Sequence, residues 1–230
     1  MRLILLRHGN TFGPTDTVVY AGSTNDLPLV AHGIEQAHRV ADALLAHGIR
    51  PQALFSGTLA RLSATADIIA QRLGVTSSRR QHDVRLNELD YGQWTGETRD
   101  AVAARFGAAS IAAWDTAGIW PTAAGWTSTD AAEAAAVADF VQERAAAAKD
   151  NDAIVIISSN GRLRYFLRCI PGAYAAHVER RALKVACGNV CVLRVSAGKQ
   201  LLKLQSPSDV MIWNAVPAQG LGLAQHLVGQ

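Results

Sequence analysis

Residues 154–164 read IVIISSNGRLR, and the order of residue types in this stretch decides the fold. Ile154, Val155, Ile156 and Ile157 form an unbroken apolar run, preceded by Ala153, that is short enough for a strand and apolar enough to be buried on both faces. The run stops at Ser158, Ser159, Asn160 and Gly161, where a chain turns. RLRYFLRCI, residues 162–170, then carries a helical pattern. Strands of this kind alternating with helices make a mostly parallel sheet covered on both faces. In such sheets ligands bind beyond the carboxyl ends of the strands. The Ser-Asn-Gly corner is therefore where a site is expected.

The same unit recurs along the chain. RLILL (2–6) reads as a strand, followed by a Gly/Pro/Thr/Asp-rich loop to about Pro28. In the next helix Ile34, Ala37, Val40, Ala41, Leu44 and Leu45 repeat at helical spacing, with Gly48 as its stop. QALF (52–55) is a second strand. Leu59, Leu62, Ala66, Ile69 and Leu73 mark a second amphipathic helix ended by Gly74. A third strand is expected to end near Leu86. Residues 128–149 predict a long helix capped by Ser128 or Thr129. GNVCVLRVSAGKQLLKLQ (188–205) reads as two strands joined at Ser196–Gly198, and the last twenty or so residues as irregular. Residues 88–128 hold four of the five tryptophans and only short helical patterns, which suits a lid inserted in a single domain spanning 1–230. The expected architecture is a three-layer α/β/α fold with a mostly parallel central sheet.

Composition limits the function classes. At 230 residues, 49% hydrophobic and 18% charged, the chain suits one soluble globular domain. A net charge of +3 without a basic block argues against a nucleic-acid partner. No stretch approaches the roughly 20 apolar residues of a membrane helix, and no signal-peptide cleavage site is seen, so a cytoplasmic location is expected. Cys169, Cys187 and Cys191 are too few for a disulfide framework and read as buried thiols. Cys187 and Cys191 would share a face of one strand, but no further metal ligands stand nearby.

The strand ends carry the chemistry. After the first stand Arg7, His8, Gly9, Asn10 and Thr11. After the second come Ser56 and, one turn into a helix, Arg61. After the third come Asn87 and Glu88, and after the fourth Ser159, Asn160 and Gly161. Singly, each has a plain structural role open to it. Together they bring two guanidiniums, an imidazole, a carboxylate and an amide to one crevice. Fixed cations and N–H donors suit a phosphate dianion. A histidine among them can attack phosphorus, and a carboxylic acid can protonate the leaving oxygen. The inventory needs neither a metal nor another cofactor.

These pieces resemble the histidine phosphatase superfamily, the phosphoglycerate-mutase-like proteins. LLRHGNT (5–11) resembles its Arg-His-Gly signature. DLPLVAHGIEQA (26–37) resembles the stretch leading into its first helix, SGTLARLSATADIIA (56–70) its second-arginine helix, and LNELDYGQWTG (86–96) its acidic segment. The resemblance implies that His8 is the nucleophile and that Gly9 leaves room for the phosphoryl group. Arg7 and Arg61 would hold its oxygens with Asn10 or Thr11. Glu88 would be the acid and then the base, which asks for a raised carboxyl pKa. His8 would have to be neutral, with its other N–H held by an acceptor.

Two positions depart from the family pattern. Pro14 stands where mutase-type members tend to have asparagine. Asn160 stands where the family places a second histidine, a donor to the phosphoryl group that often carries charge. Asparagine can donate at the depth of the nearer ring nitrogen but carries no charge. Losing a preorganised donor outright costs about 2.7–4 kcal/mol in barrier, and exchanging it costs less. A phosphatase slowed by Asn160 is the expectation. Its alternatives are a phospho-ligand binder that has lost catalysis, a mutase-type phosphotransferase, and an Asn160 introduced by design. DYGQWTGETRDAVAARFG (90–107) lacks the arginine pair of mutase-type members, which favours hydrolysis. The expected partner is a small phosphorylated metabolite. A sheet edge at 188–205 could be covered in a homodimer. Trp94, nearest to Glu88 in sequence, is expected to line the pocket.

Overall fold

The computed structural model describes residues 1–196 and 206–217. In chain order it forms β1 (Arg2–Arg7), α1 (Ala31–Ala46), β2 (Ala53–Ser56), α2 (Ala60–Leu73), β3 (Arg80–His82), α3 (Arg99–Phe106) and α4 (Ala108–Ala117). Then follow α5 (Asp130–Ala147), β4 (Ala153–Ser158), α6 (Asn160–Leu163), α7 (Ala173–Glu179), β5 (Val190–Arg194) and β6 (Val210–Ala215). The sheet order is β3-β2-β4-β1-β5-β6. β3, β2, β4 and β1 pair in parallel, and β5 runs antiparallel to both β1 and β6.

The apolar runs place alternate side chains on opposite faces of this sheet. Ile4, Leu6, Val155 and Ile157 pack with Val40 and Leu44 of α1 and Leu62 and Ile69 of α2. Leu3, Leu5, Ile154 and Ile156 pack with Phe140 and Val141 of α5 and with Phe166 and Leu167 beyond α6. The result is the three-layer α/β/α arrangement expected from the sequence. Fully burying one such aliphatic side chain is worth about 1.5–3 kcal/mol, so the two apolar faces drive the assembly.

Several elements differ from the sequence reading. β3 ends at His82, and Val84–Leu86 is a single 3-10 turn whose start is capped by the Asp83 carboxylate. Residues 164–169 continue α6 as 3-10 helix. Ile34 is 42% exposed, because Gly33 takes the buried place in the first turn of α1. Cys187 lies in a turn before β5, so it shares no strand face with Cys191. β6 falls in the stretch whose sequence reads as irregular. Its side chains are only partly buried, which leaves no strong apolar alternation to betray it. The second strand expected after Gly198 lies outside the described residues. Thr129, of the two candidates, caps α5 by accepting from Ala132 N–H.

The loop after β1 meets α1 backbone to backbone. A Cβ on Gly9 would lie 2.1 Å from the Gly33 carbonyl oxygen, and one on Gly33 would lie 2.1 Å from the Asn10 carbonyl oxygen. Gly9 is thus required by its packing on α1. Gly33→Ala separates two effects of opposite sign. Helix propensity favours alanine by about 0.5–1 kcal/mol, whereas overpacking against rigid backbone costs about 1–3 kcal/mol. The expected net result is destabilisation, read as a lower urea midpoint. A raised midpoint would contradict the close approach.

Candidate active site

β1 delivers Arg7 and His8 to the pocket by its register. Arg7 pairs with Ser158, and the His8 N–H donates to the Ser158 carbonyl at 3.1 Å. The residues after β1 and after β4 therefore leave the sheet side by side. Here lies a cavity of about 270 Å³ whose inner end is lined by Arg7, His8, Thr11, Arg61, Glu88 and Asn160. Tyr20, Tyr91, Arg99, Trp114, Asp115 and Lys184 also line it.

His8 is 5% exposed, and its Nδ1 lies 2.7 Å from the Gly9 carbonyl oxygen. A carbonyl only accepts, so Nδ1 carries the proton and Nε2 keeps its lone pair. Burial, then the charges of Arg7 and Arg61, push the imidazole well below its ordinary 6.5. The ring is neutral with one nitrogen free.

The two arginines are held by backbone carbonyls. Arg7 Nη1 donates to Val185 at 2.7 Å, and its Nε is buried with no partner. Arg61 Nη2 donates to Gly22 at 2.7 Å and Nη1 to Asn25 at 3.2 Å. Asp26 lies 3.9 Å from Arg61 Nη1, so the guanidinium is only loosely paired. Burial lowers the Arg61 pKa, but a guanidinium stays charged at any physiological pH.

Glu88 follows the 3-10 turn rather than a strand end, and neighbouring elements hold its segment in place. Ser158 Oγ donates to Leu86 O at 2.7 Å. Arg162 Nε donates to Asn87 O at 3.1 Å while its guanidinium pairs with Glu133 of α5. The Glu88 carboxylate accepts from its own neighbour Leu89 N–H at 3.0 Å and from Gly161 N–H at 3.2 Å. A Cβ at Gly161 would lie 2.4 Å from Glu88 Oε1 and 2.5 Å from the Tyr91 hydroxyl. Glycine after Asn160 thus makes the seat for the carboxylate. Burial, with Glu88 next, raises the Tyr91 phenol well above 10.0 and keeps it protonated.

Asn160 opens α6, and its Oδ1 accepts from Val185 N–H at 2.8 Å. A backbone donor requires the oxygen on that side, which leaves the amide NH₂ for the cavity. Thr11 lines the cavity, whereas Asn10 is not among its lining residues. Asn10 serves the scaffold: its N–H donates to Gln36 Oε1 at 2.8 Å and its carbonyl accepts from Val30 N–H at 3.1 Å. Trp114, not Trp94, is the tryptophan on the cavity wall. Trp94 is fully buried in the aromatic core with Tyr20, Phe106 and Trp126. Behind Trp114 the Arg164 guanidinium stacks on the indole at 3.9 Å.

Sequence reasoning missed Tyr91, Tyr20, the Arg99–Asp115 pair, Lys184 and the Val185 backbone. Tyr91 had a signal in its three-residue spacing from Glu88. The others depend on tertiary placement. Among the described residues no group of three or more His, Cys, Asp or Glu side chains is gathered for a metal ion. No helix among them is long and apolar enough to cross a membrane.

The sequence model of the histidine phosphatase superfamily, branch 1, matches residues 3–206. The chain belongs to this superfamily. It is 30% identical over 112 residues to a 2,3-bisphosphoglycerate-dependent phosphoglycerate mutase of Azorhizobium caulinodans. It is 33% identical over 112 residues to the corresponding protein of a Methylobacterium species. Each match covers 49% of this chain and 53% of the relative, so the chain spans about half the length of these curated relatives. Among solved structures, a mycobacterial glucosyl-3-phosphoglycerate phosphatase superposes with a TM-score of 0.73 at 22% identity, over 93% of this chain and 98% of that one. An α-ribazole phosphatase of Shigella flexneri gives 0.63 at 23% identity, over 93% and 100%. These likenesses establish the shared fold.

The depressed His8 midpoint has a sign that can be checked. Well above pH 6.5 neither the folded nor the unfolded chain protonates this ring. As pH falls below 6.5, the unfolded chain takes up a proton that the folded one refuses, and stability is lost towards the folded midpoint. The acid-side decline of stability should therefore be shallower in His8→Gln. NMR of the ring nitrogens should show Nδ1 protonated and Nε2 bare at pH 6.5. Equal acid slopes, or a doubly protonated ring at that pH, would contradict the assignment.

Proposed function

We propose that the protein is a metal-independent phosphomonoester hydrolase acting on a small phosphorylated metabolite through a phosphohistidine intermediate. The observation that carries this reading is the state of His8: buried, neutral, and fixed by the Gly9 carbonyl so that Nε2 faces a pocket shared with Arg7 and Arg61. In the first step His8 Nε2 attacks phosphorus and the P–O bond to the alcohol breaks. Arg7, Arg61, Thr11 and the Asn160 amide hold the phosphoryl oxygens. Glu88, in its acid form, passes its proton to the departing alcohol oxygen. In the second step water attacks phosphorus, Glu88 takes a proton from that water, and the P–N bond to His8 breaks to give inorganic phosphate.

Asn160 makes this a slower member than one with histidine there. Asn160→Ala should lower kcat by about 10- to 1,000-fold, the upper range being that of an oxyanion donor removed outright. Asn160→His should raise kcat, because a ring accepting Val185 N–H at Nδ1 presents an Nε2–H deeper in the pocket. A fall in kcat would mean that the pocket is shaped around asparagine. Acid quenching of a reaction with radiolabelled substrate should trap phosphate on His8, and His8→Ala should abolish both label and turnover. Turnover of p-nitrophenyl phosphate should survive chelators. Hydrolysis without a labelled histidine would refute the mechanism. The similarity to phosphoglycerate mutases favours a second reading, transfer between two positions of one substrate. Incubation with 3-phosphoglycerate decides between them: inorganic phosphate supports hydrolysis, and 2-phosphoglycerate supports transfer.

A further inference from the structure

Residues 183–185 alternate in burial, so successive side chains lie on different sides of the segment. Leu183 and Val185 are fully buried in the core shared with Phe166 and Trp114, and Lys184 between them is exposed and lines the cavity. The Val185 backbone is bonded on both sides of the site. Its carbonyl accepts from Arg7 Nη1 at 2.7 Å, and its N–H donates to Asn160 Oδ1 at 2.8 Å.

That second bond decides which groups position 160 can host. A donor pointing at the δ position demands an acceptor there. An imidazolium would present Nδ1–H to Val185 N–H, two donors face to face. Even a histidine at 160 would therefore be a neutral ring accepting at Nδ1. The Val185 N–H therefore disfavours positive charge at the δ position of residue 160.

A transferring phosphoryl group still favours a cation on this side, and one residue along the chain supplies it. Of the four cavity-lining cations, Arg99 is committed to Asp115 at 2.7 Å, Arg61 lies beside Asp26 at 3.9 Å, and Arg7 is held to the Val185 carbonyl at 2.7 Å with no ion pair to a described residue. Lys184 forms no ion pair with any described residue, and its ammonium sits on a long, flexible stem with three donors.

We propose that Lys184 is a phosphoryl-binding residue that supplies, from the loop before β5, the charge that Asn160 cannot carry. This rests on the phosphatase reading above. The pocket thus divides one task in two: Asn160 gives a fixed neutral donor and Lys184 the charge.

Inorganic phosphate tests this directly, because it has no leaving group for a rim lysine to recognise. Calorimetric titration of the full-length protein with inorganic phosphate is compared with K184Q and K184R, alongside kcat/KM for p-nitrophenyl phosphate. K184Q should bind phosphate roughly tenfold more weakly or worse, as expected for loss of a charge-assisted contact. K184R should recover most of the affinity. Lys184 is exposed, so melting temperatures of both variants should match the parent and exclude a folding effect. Phosphate affinity unchanged in K184Q, with a parent that binds and hydrolyses, overturns the assignment and leaves the phosphatase reading standing. A parent that neither binds phosphate nor hydrolyses p-nitrophenyl phosphate overturns both.

Discussion

The parallel pairing of β1 with β4, from Arg2 beside Ala153 to Arg7 beside Ser158, sets every other distance in the site. A slip by one residue would exchange the two faces of β1, sending Leu3 and Leu5 where Ile4 and Leu6 now pack. The two apolar faces are equally dry, so hydrophobicity alone does not forbid the slip. Specificity comes from what each face meets: aliphatic α1 and α2 on one side, the aromatic cluster and α5 on the other. With the register fixed, His8 and the Ser-Asn-Gly corner emerge together, and the crevice is built between them.

Much of this was legible in the sequence because it depends on local pattern. The alternating core of β1 and β4, the faces of α1 and α2, and the left-handed Gly74 stop all follow from spacing and residue type. Boundaries were less legible where a side chain intervenes. The Asp83 carboxylate caps a 3-10 turn and ends β3 early, although the apolar residues Val84 and Leu86 suggest that the strand continues. Trp94 and Trp114 could not be told apart by type. Both are buried in the aromatic cluster, and only Trp114 also reaches the cavity wall, a distinction only packing makes. Gly9 has a signature that reads as catalytic, yet its missing Cβ answers to Gly33, twenty-four residues away in the chain.

The pocket also shows how a polar site holds its side chains in fixed directions. Arg7, Arg61 and Asn160 each spend part of their hydrogen-bonding capacity on backbone groups, which fixes their direction and leaves the remainder for a ligand. Arg162 does the same one layer out, tying Asn87 to α5 and so steadying the segment that carries Glu88. Preorganisation of this kind lowers the entropy lost when an anion arrives.

Asn160 and Gly161 are consecutive residues of one four-residue helix, yet they face different walls: one bonds Val185 and the other bonds Glu88. α6 therefore links the Glu88 carboxylate to the Asn160 amide through adjacent residues. The spacing between the Glu88 carboxylate and the Asn160 amide is then set by one peptide link and one hydrogen bond, a shorter chain of constraints than any path through the sheet.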